Sequence, residues 1–277
     1  MTTKQSHHNV LKVGHMTYLN SEVFYRKLPP DSCELIAMPP RAMAAAVERS
    51  DLQAGPLPIA EVLRMGDNVR SLGNMGVACD GPALSVFLFS NIPVEQLSGS
   101  SIAVTSHTAT SIQLLRVLFA DLWDVTEHRF VEMANEQDAA LVIGDPALEQ
   151  LATTEYPHHY DLGSAWKTLT GLPFVFAEWV VRSDVPVEVS ERFERQLVQA
   201  TRDGVNSVEE ISRIRKSAVM SEYEVSNYVQ NFTYFFGPDE RAGQEEFRLR
   251  LNKLPNWRPP ASAQTDTSVE KAVSTSN

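Results

Sequence analysis

Hydroxyl side chains are concentrated in residues 105–111 (TSHTATS), where five of seven positions are Ser or Thr. The segment follows a predicted strand at 101–105 and precedes a predicted helix at 111–123, whose apolar residues recur at helical spacing. A helix start needs one capping hydroxyl, and Thr110 is the candidate. The other hydroxyls exceed that need, and the free N–H groups of a helix N-terminus attract negative charge. The segment therefore predicts a site for a small anion such as a carboxylate.

Polar residues also follow two other predicted strands. The strand at 10–14 leads to Asn20, and the strand at 139–144 ends at Gly144 and is followed by Asp145. Ligands of open α/β sheets bind beyond the C-terminal ends of strands, so these junctions are candidate binding edges. The alternatives are a turn role for Asn20 and a helix-capping role for Asp145.

Other chemistries lack their motifs. The adjacent pairs His7-His8 and His158-His159 do not have metal-ligand spacing, so no metal site is predicted. His15 and His107 are lone histidines near strand ends; a solvent-facing or structural role is favoured over general base. The chain has no nucleophile elbow, phosphate loop or dinucleotide glycine fingerprint, so we expect no cofactor.

Composition narrows the class of partner. The 277 residues carry 24 Lys and Arg against 35 Asp and Glu, a net charge of −11. This balance argues against nucleic acid but leaves a small anionic ligand possible, because a local site can oppose the global charge. The sequence shows no signal peptide and no membrane span, which predicts a cytoplasmic protein without a membrane partner. Cys33 and Cys79 are expected to be buried free thiols.

Short apolar runs alternate with helical patterns along most of the chain. The runs are continuously apolar, which is typical of strands covered on both faces. The pattern predicts a two-lobed α/β fold with mostly parallel sheets and flanking helices. Strands are predicted at 10–14, 34–38, 84–90, 101–105, 129–133, 139–144 and 174–182, and helices at 41–49, 111–123, 191–203, 221–236 and 239–254.

Several segments together resemble the chorismate dehydratases of the futalosine route to menaquinone, which have periplasmic-binding-protein-like type II folds. The resemblance covers most of residues 10–182. Its most specific string runs from Asp161-Leu162-Gly163 to the TGLPFVFA sequence of 170–177. The other matching segments are 13–20 (VGHMTYLN), 79–90 (CDGPALSVFLFS), 105–111 (TSHTATS) and 139–145 (AALVIGD).

The resemblance implies an enzyme that eliminates water from chorismate, a dicarboxylate, with the substrate's own enolpyruvyl carboxylate as a candidate base. It also implies a lobe from residues 1–90 plus 183–258, a second lobe from 91–182, and two hinge crossings. Residues 259–277 are a predicted disordered tail.

The resemblance assigns roles to six residues. Asn20 and Ser85 would contact polar groups of the substrate as catalytic residues. Thr110 and Ser111 would bind a carboxylate, and Gly144 and Asp145 would line the facing lobe. The alternative for Ser85 is a buried strand serine bonded to backbone.

Other functions stay open at this point. A non-catalytic solute-binding protein for a small aromatic or enolpyruvyl carboxylate would share the fold, and so would a dihydroxynaphthoate-forming lyase of the same pathway. The family often has basic residues where this chain has Leu84 and Ala109, so a paralogue acting on another enolpyruvyl acid is a further alternative. The sequence does not specify an oligomeric state.

Overall fold

The computed structural model describes residues 10–105, 108–133, 137–153 and 156–258. His7, His8, His107 and the tail predicted at 259–277 lie outside the described residues.

Within the described ranges the chain forms eleven strands and ten α-helices. The strands are β1 Lys12–His15, β2 Glu34–Ala37, β3 Ala54–Pro58, β4 Val69–Cys79, β5 Val86–Ser90, β6 Ser101–Val104, β7 Arg129–Glu132, β8 Ala139–Ile143, β9 His158–Asp161, β10 Phe174–Arg182 and β11 Thr233–Phe235. The helices are α1 Glu22–Tyr25, α2 Pro40–Glu48, α3 Ile59–Met65, α4 Thr110–Asp121, α5 Asp145–Thr153, α6 Leu162–Thr170, α7 Val187–Val205, α8 Val208–Arg215, α9 Glu222–Gln230 and α10 Pro238–Leu251.

The strands form two sheets. The first has the order β11-β4-β10-β3-β1-β2 and the second the order β7-β6-β8-β5-β9. β1 is parallel to β2 and β3, and β6 is parallel to β7 and β8. β10 is antiparallel to both its neighbours, and so is β5. Both sheets are therefore mixed, not mostly parallel as expected, because the strands that follow each change of sheet enter in the opposite direction.

The chain changes sheet twice. β4 ends at Cys79 and β5 begins at Val86 in the second sheet; α6 ends at Thr170 and β10 begins at Phe174 in the first. The lobe boundaries expected after residues 90 and 182 assign β5 to the first lobe and β10 to the second. In the structure β5 belongs to the second sheet and β10 to the first. A continuous apolar run shows that a strand is buried, but not which sheet it joins.

The most specific string of the sequence holds these two crossings. The Asp161 carboxylate accepts hydrogen bonds from Ala83 N–H at 2.9 Å and Leu84 N–H at 2.7 Å, which fixes the first crossing to the start of α6. The indole N–H of Trp166 donates to the Pro173 carbonyl at 3.1 Å in the second crossing. Gly171 ends α6 with a φ of +72°, a left-handed conformation that favours glycine.

The predicted helix at 221–236 is wrong over its last six residues. α9 ends at Gln230, and Thr233–Phe235 then form β11 against the edge of β4. The local pattern favours helix there, but pairing with a sheet edge provides backbone partners that a local pattern cannot reveal.

Cys33 and Cys79 are both buried and free, as predicted. Across the described ranges, no helix is both long and apolar enough to cross a membrane.

Candidate functional site

A cavity lies between the two sheets, with about 580 Å³ of empty space when the open solvent at its mouth is included. It is bounded by the C-terminal ends of β3, β4 and β8, by the starts of β5 and α4, and by β10. Its lining residues are Met16, Tyr18, Asn20, Pro40, Pro58, Val77, Ser85, Val86, Ala109, Thr110, Ser111, Ile143, Gly144, Phe176, Ala177 and Phe232.

Five of the six residues proposed from the sequence line this one cavity. They are Asn20, Ser85, Thr110, Ser111 and Gly144. They come from three separate stretches of the first half of the chain and from the end of β8, so the two sheets are needed to bring them together. Asp145 is not part of the lining. Contact of any of them with a ligand stays a prediction.

The N-terminus of α4 is open toward a ligand. Ala109 precedes the helix without a side-chain cap, and the N–H groups of 110–112 have no acceptor among the described residues. The Ser111 hydroxyl has no hydrogen-bond partner among the residues that the structure describes, although Ser111 is only 5 % exposed. These unpaired donors and the positive end of the helix form a site that suits a carboxylate.

Thr110 does not cap its own helix, contrary to prediction. It is the first helical residue, and its Oγ1 accepts a hydrogen bond from Ala60 N–H at 3.2 Å. Ala60 lies in the first turn of α3, where backbone N–H groups have no intrahelical partner. The Thr110 hydroxyl therefore completes the start of a helix on the other side of the cavity.

No charged side chain lines the cavity among the described residues. Positive potential comes instead from the N-terminal ends of α2 and α4, which reach it through Pro40 and Thr110. An anion would thus be held by backbone dipoles and neutral donors rather than by a lysine or arginine.

Asn20 lies in a short 3-10 turn, Leu19–Ser21. Its side-chain oxygen accepts a hydrogen bond from Ser21 Oγ at 3.2 Å. The amide NH₂ makes no hydrogen bond with another described residue, so it can donate to a ligand. The turn role of Asn20 is therefore compatible with the predicted binding role.

Ser85 precedes β5 and is 1 % exposed. Its carbonyl accepts a hydrogen bond from Gly144 N–H at 2.8 Å, and its hydroxyl lies 2.6 Å from the Tyr228 hydroxyl. The Ser85 hydroxyl is also 3.4 Å from the Ala83 carbonyl, which is long for an O–H···O bond. Burial raises the pKa of the Tyr228 phenol well above its usual value, so this hydroxyl stays protonated.

Gly144 is in contact with the ring of Tyr18. Its φ is +70°, and a Cβ at this position would lie 2.9 Å from a Tyr18 ring carbon. Only glycine combines this backbone conformation with the close approach of the ring. Burial, and next the charge of Asp145, raises the pKa of the Tyr18 phenol. A neutral Tyr18 therefore covers the end of β8.

Asp145 lies outside the cavity and forms hydrogen bonds that connect its two sides. One carboxylate oxygen accepts from Leu19 N–H at 3.0 Å and the other from Arg215 at 2.7 Å. Arg215 also pairs with Glu22 and donates to the Thr17 carbonyl at 3.4 Å. The Asp145 carboxylate is occupied by these partners, which explains why it does not line the cavity as predicted.

His15, one of the two lone histidines near strand ends, is not in the cavity lining. His15 packs edge-on against Tyr25, with 4.4 Å between ring centroids. Burial lowers the pKa of His15, and the smaller effect of the Glu22 charge raises it. His107 lies outside the described residues. Within the described ranges, no group of three His, Cys, Asp or Glu residues could hold a metal ion.

The sequence reasoning missed Tyr228 and Arg215. Tyr228 stands on the apolar stripe of α9 with Val225 and Val229, and a buried phenol on such a stripe needs a hydrogen-bond partner. The sequence therefore indicates that Tyr228 needs a partner, but it does not show that the partner is Ser85. No local pattern in the sequence indicates that Arg215 pairs with Asp145, because the two residues are 70 positions apart.

Comparisons with known proteins agree with this architecture. The profile of a family described as menaquinone biosynthesis matches residues 11–253. A chorismate dehydratase of Thermus thermophilus is 27 % identical over an alignment of 209 residues, which covers 68 % of this chain and 76 % of that protein.

Solved structures show the same fold. Protein AF1704 from Archaeoglobus fulgidus superposes with a TM-score of 0.70 at 16 % identity, covering 89 % of this chain and 98 % of that one. The Candida albicans CA3427 gene product, which has the generic periplasmic binding protein fold, gives a TM-score of 0.56 at 9 % identity over 87 % of this chain and 89 % of its own. The chain has this two-lobed fold, and it belongs to the menaquinone biosynthesis family.

Proposed function

We propose that this protein is a chorismate dehydratase, a hydro-lyase acting in menaquinone biosynthesis. In the proposed reaction, chorismate loses a proton from the ring carbon that carries the enolpyruvyl ether and a hydroxide from the neighbouring ring carbon. The products are 3-(1-carboxyvinyloxy)benzoate and water. Support comes from the family and from the name of the Thermus thermophilus relative.

The observation that carries the proposal is the unpaired donor set of α4. A ligand with a ring carboxylate can accept hydrogen bonds from the Ser111 hydroxyl and from the N–H groups of the first turn. Such donors stabilise negative charge that builds up on a carboxylate during a reaction. An apolar lining that includes Val77, Phe176 and Phe232 suits the carbocyclic ring.

The proposed chemistry is elimination through a stabilised carbanion. Electrons of the broken C–H bond spread through the ring double bond to the ring carboxylate, which α4 holds. They then form the new ring double bond as the C–O bond breaks and hydroxide leaves with its electron pair. The transferred proton and the hydroxide make water, and aromatisation drives the reaction.

The proton acceptor in this proposal is the enolpyruvyl carboxylate of the substrate. The lining contains no histidine, carboxylate or amine side chain in the described part of the chain, whereas the enolpyruvyl carboxylate is next to the reacting C–H. Asn20 and Ser85 would then hold the polar groups of the ring and of the enolpyruvyl arm. Such orientation makes an intramolecular proton transfer effective.

The test is incubation of the purified protein with chorismate without added cofactor, followed by proton NMR. We expect ring signals of chorismate to be replaced by aromatic signals of the benzoate product. Asn20→Ala and Ser111→Ala should each lower kcat/KM at least about tenfold, the scale of one or two lost hydrogen bonds to a charged group. Ser212→Ala, a buried serine outside the cavity lining, is the matched control and should retain the rate.

Unchanged chorismate would contradict the proposal. If the protein binds chorismate by calorimetry but leaves it intact, the fold serves as a binding protein and the enzyme assignment fails. If another enolpyruvyl acid is converted in place of chorismate, the protein is a paralogous lyase.

A further inference from the structure

The hydroxyl of Tyr228 lies directly behind the cavity wall. Tyr228 is 2 % exposed and Ser85 is 1 % exposed, and their oxygens are 2.6 Å apart. Ser85 lines the cavity, whereas Tyr228 does not. The pair thus connects a fully buried phenol with a side chain that a ligand can reach.

The direction of this hydrogen bond follows from the available acceptors. Among the described residues, Ser85 is the only partner of the Tyr228 hydroxyl. If Ser85 were the donor, the phenol proton would be buried without an acceptor, which is costly in a protein interior. Tyr228 therefore donates and Ser85 accepts.

This direction leaves the Ser85 proton free to point elsewhere. Its only acceptor in the described chain is the Ala83 carbonyl at 3.4 Å, beyond the usual O–H···O range of about 2.5–3.0 Å. A ligand oxygen in the cavity would be a better acceptor. A hydroxyl that accepts one hydrogen bond also becomes a stronger donor in the next.

Tyr228 is held firmly enough to orient its partner. Its ring packs edge-on against Phe232, with 5.2 Å between centroids, and Phe232 itself lines the cavity. The N-terminus of α9 is fixed by a capping box in which Ser221 and Glu224 bond each other's backbone. The phenol position is therefore set by the core and does not depend on a ligand.

We infer that Tyr228 is a positioning residue, which fixes the Ser85 hydroxyl as a hydrogen-bond donor to an oxygen of the cavity ligand. The inference rests on the proposed function for the identity of that ligand, an enolpyruvyl dicarboxylate. Tyr228 acts only through Ser85 and does not touch the ligand.

The test is a double-mutant cycle on chorismate turnover with Tyr228→Phe, Ser85→Ala and the double variant. We expect Tyr228→Phe to lower kcat about fivefold to tenfold with KM within twofold, because the ring and its packing remain. Ser85→Ala should lower kcat more, and the double variant should match Ser85→Ala, since Tyr228 has no other route to the ligand.

A matched control separates positioning from stability. Tyr234 is another buried tyrosine, whose hydroxyl donates to the Val229 carbonyl at 2.9 Å, outside the cavity lining. Tyr234→Phe should lower the melting temperature as Tyr228→Phe does, but should leave kcat unchanged. A wild-type kcat for Tyr228→Phe would overturn the inference, and so would losses that multiply in the double variant.

A second measurement keeps this inference distinct from the enzyme proposal. If wild-type protein binds chorismate without converting it, the same four proteins are compared by calorimetry with chorismate. Positioning is then supported if Tyr228→Phe weakens chorismate affinity in the wild type but has no effect on affinity in the Ser85→Ala variant. Equal affinities in the wild type and Tyr228→Phe overturn it. A wild type that neither converts nor binds chorismate overturns both proposals.

Discussion

Substitution of Gly144 by alanine should damage both stability and the candidate site. At a φ of +70°, the left-handed backbone costs an alanine about 1–2 kcal/mol. The new Cβ would lie 2.9 Å from the Tyr18 ring, so the ring must also move. Overpacking of this kind adds about 1–3 kcal/mol. The expected total is therefore about 2–5 kcal/mol, measured by urea unfolding.

Gly171 is the matched control for the backbone part of this cost. Its φ is +72°, and an added Cβ would meet nothing within 4 Å. Gly171→Ala should therefore lose only the backbone cost of about 1–2 kcal/mol and should keep wild-type kcat/KM. Gly144→Ala should lower kcat/KM for chorismate as well, because Tyr18 lines the cavity.

Two outcomes would refute this reasoning. Equal losses of unfolding free energy in the two variants would mean that the Tyr18 contact is relieved at no cost. Wild-type turnover of Gly144→Ala would mean that the position of the Tyr18 ring does not matter to the ligand. If the contact with the Tyr18 ring causes the loss of stability, a Gly144→Ala, Tyr18→Leu double variant, in which a smaller side chain replaces the ring, should recover part of the unfolding free energy.

Other outcomes are expected from the same structure. Arg215→Ala should raise KM severalfold in steady-state assays, because it leaves Asp145 with one partner across the cavity; an unchanged KM would show that the pair does not influence ligand binding. Asp145→Asn keeps the acceptor for Leu19 N–H, so it should impair less than Asp145→Ala in the same assay. Burial raises the pKa of the Cys33 thiol to about 11 and that of Cys79 still further. Neither thiol should react rapidly with a disulfide reagent at pH 8, and both should react in urea; fast labelling of the folded protein would contradict their burial.

The unpaired donors at the N-terminus of α4, where the anion site is proposed, could be predicted from local features because they are close in sequence. The hydroxyl density at 105–111 and the helix that follows are enough to indicate the N-terminus of α4. Ser85 came only from the family resemblance, since a serine before an apolar strand carries no local signal. Its partner Tyr228 is 143 positions away, and a contact of that range is set by the packing of α9.

Where prediction failed, the cause was long-range structure. The last turn of the predicted helix at 221–236 became β11 because β4 offered an unpaired edge. The mixed direction of both sheets follows from the two crossings, whose apolar strands look alike whichever sheet they join. Asp145 was placed in the lining because it follows β8, but its carboxylate is drawn to Arg215 on α8.

The hydrogen bond from Ala60 to Thr110 makes the completion of one helix depend on the relative placement of the two sheets. If the sheets move apart, the Ala60 N–H must turn to water, as must the Leu19 N–H that Asp145 now satisfies. Water replaces most of each lost bond, so separation costs only on the order of 1 kcal/mol per contact. A ligand held by Asn20 on one side and Ser111 on the other would add contacts across the cavity and so oppose separation of the two sheets.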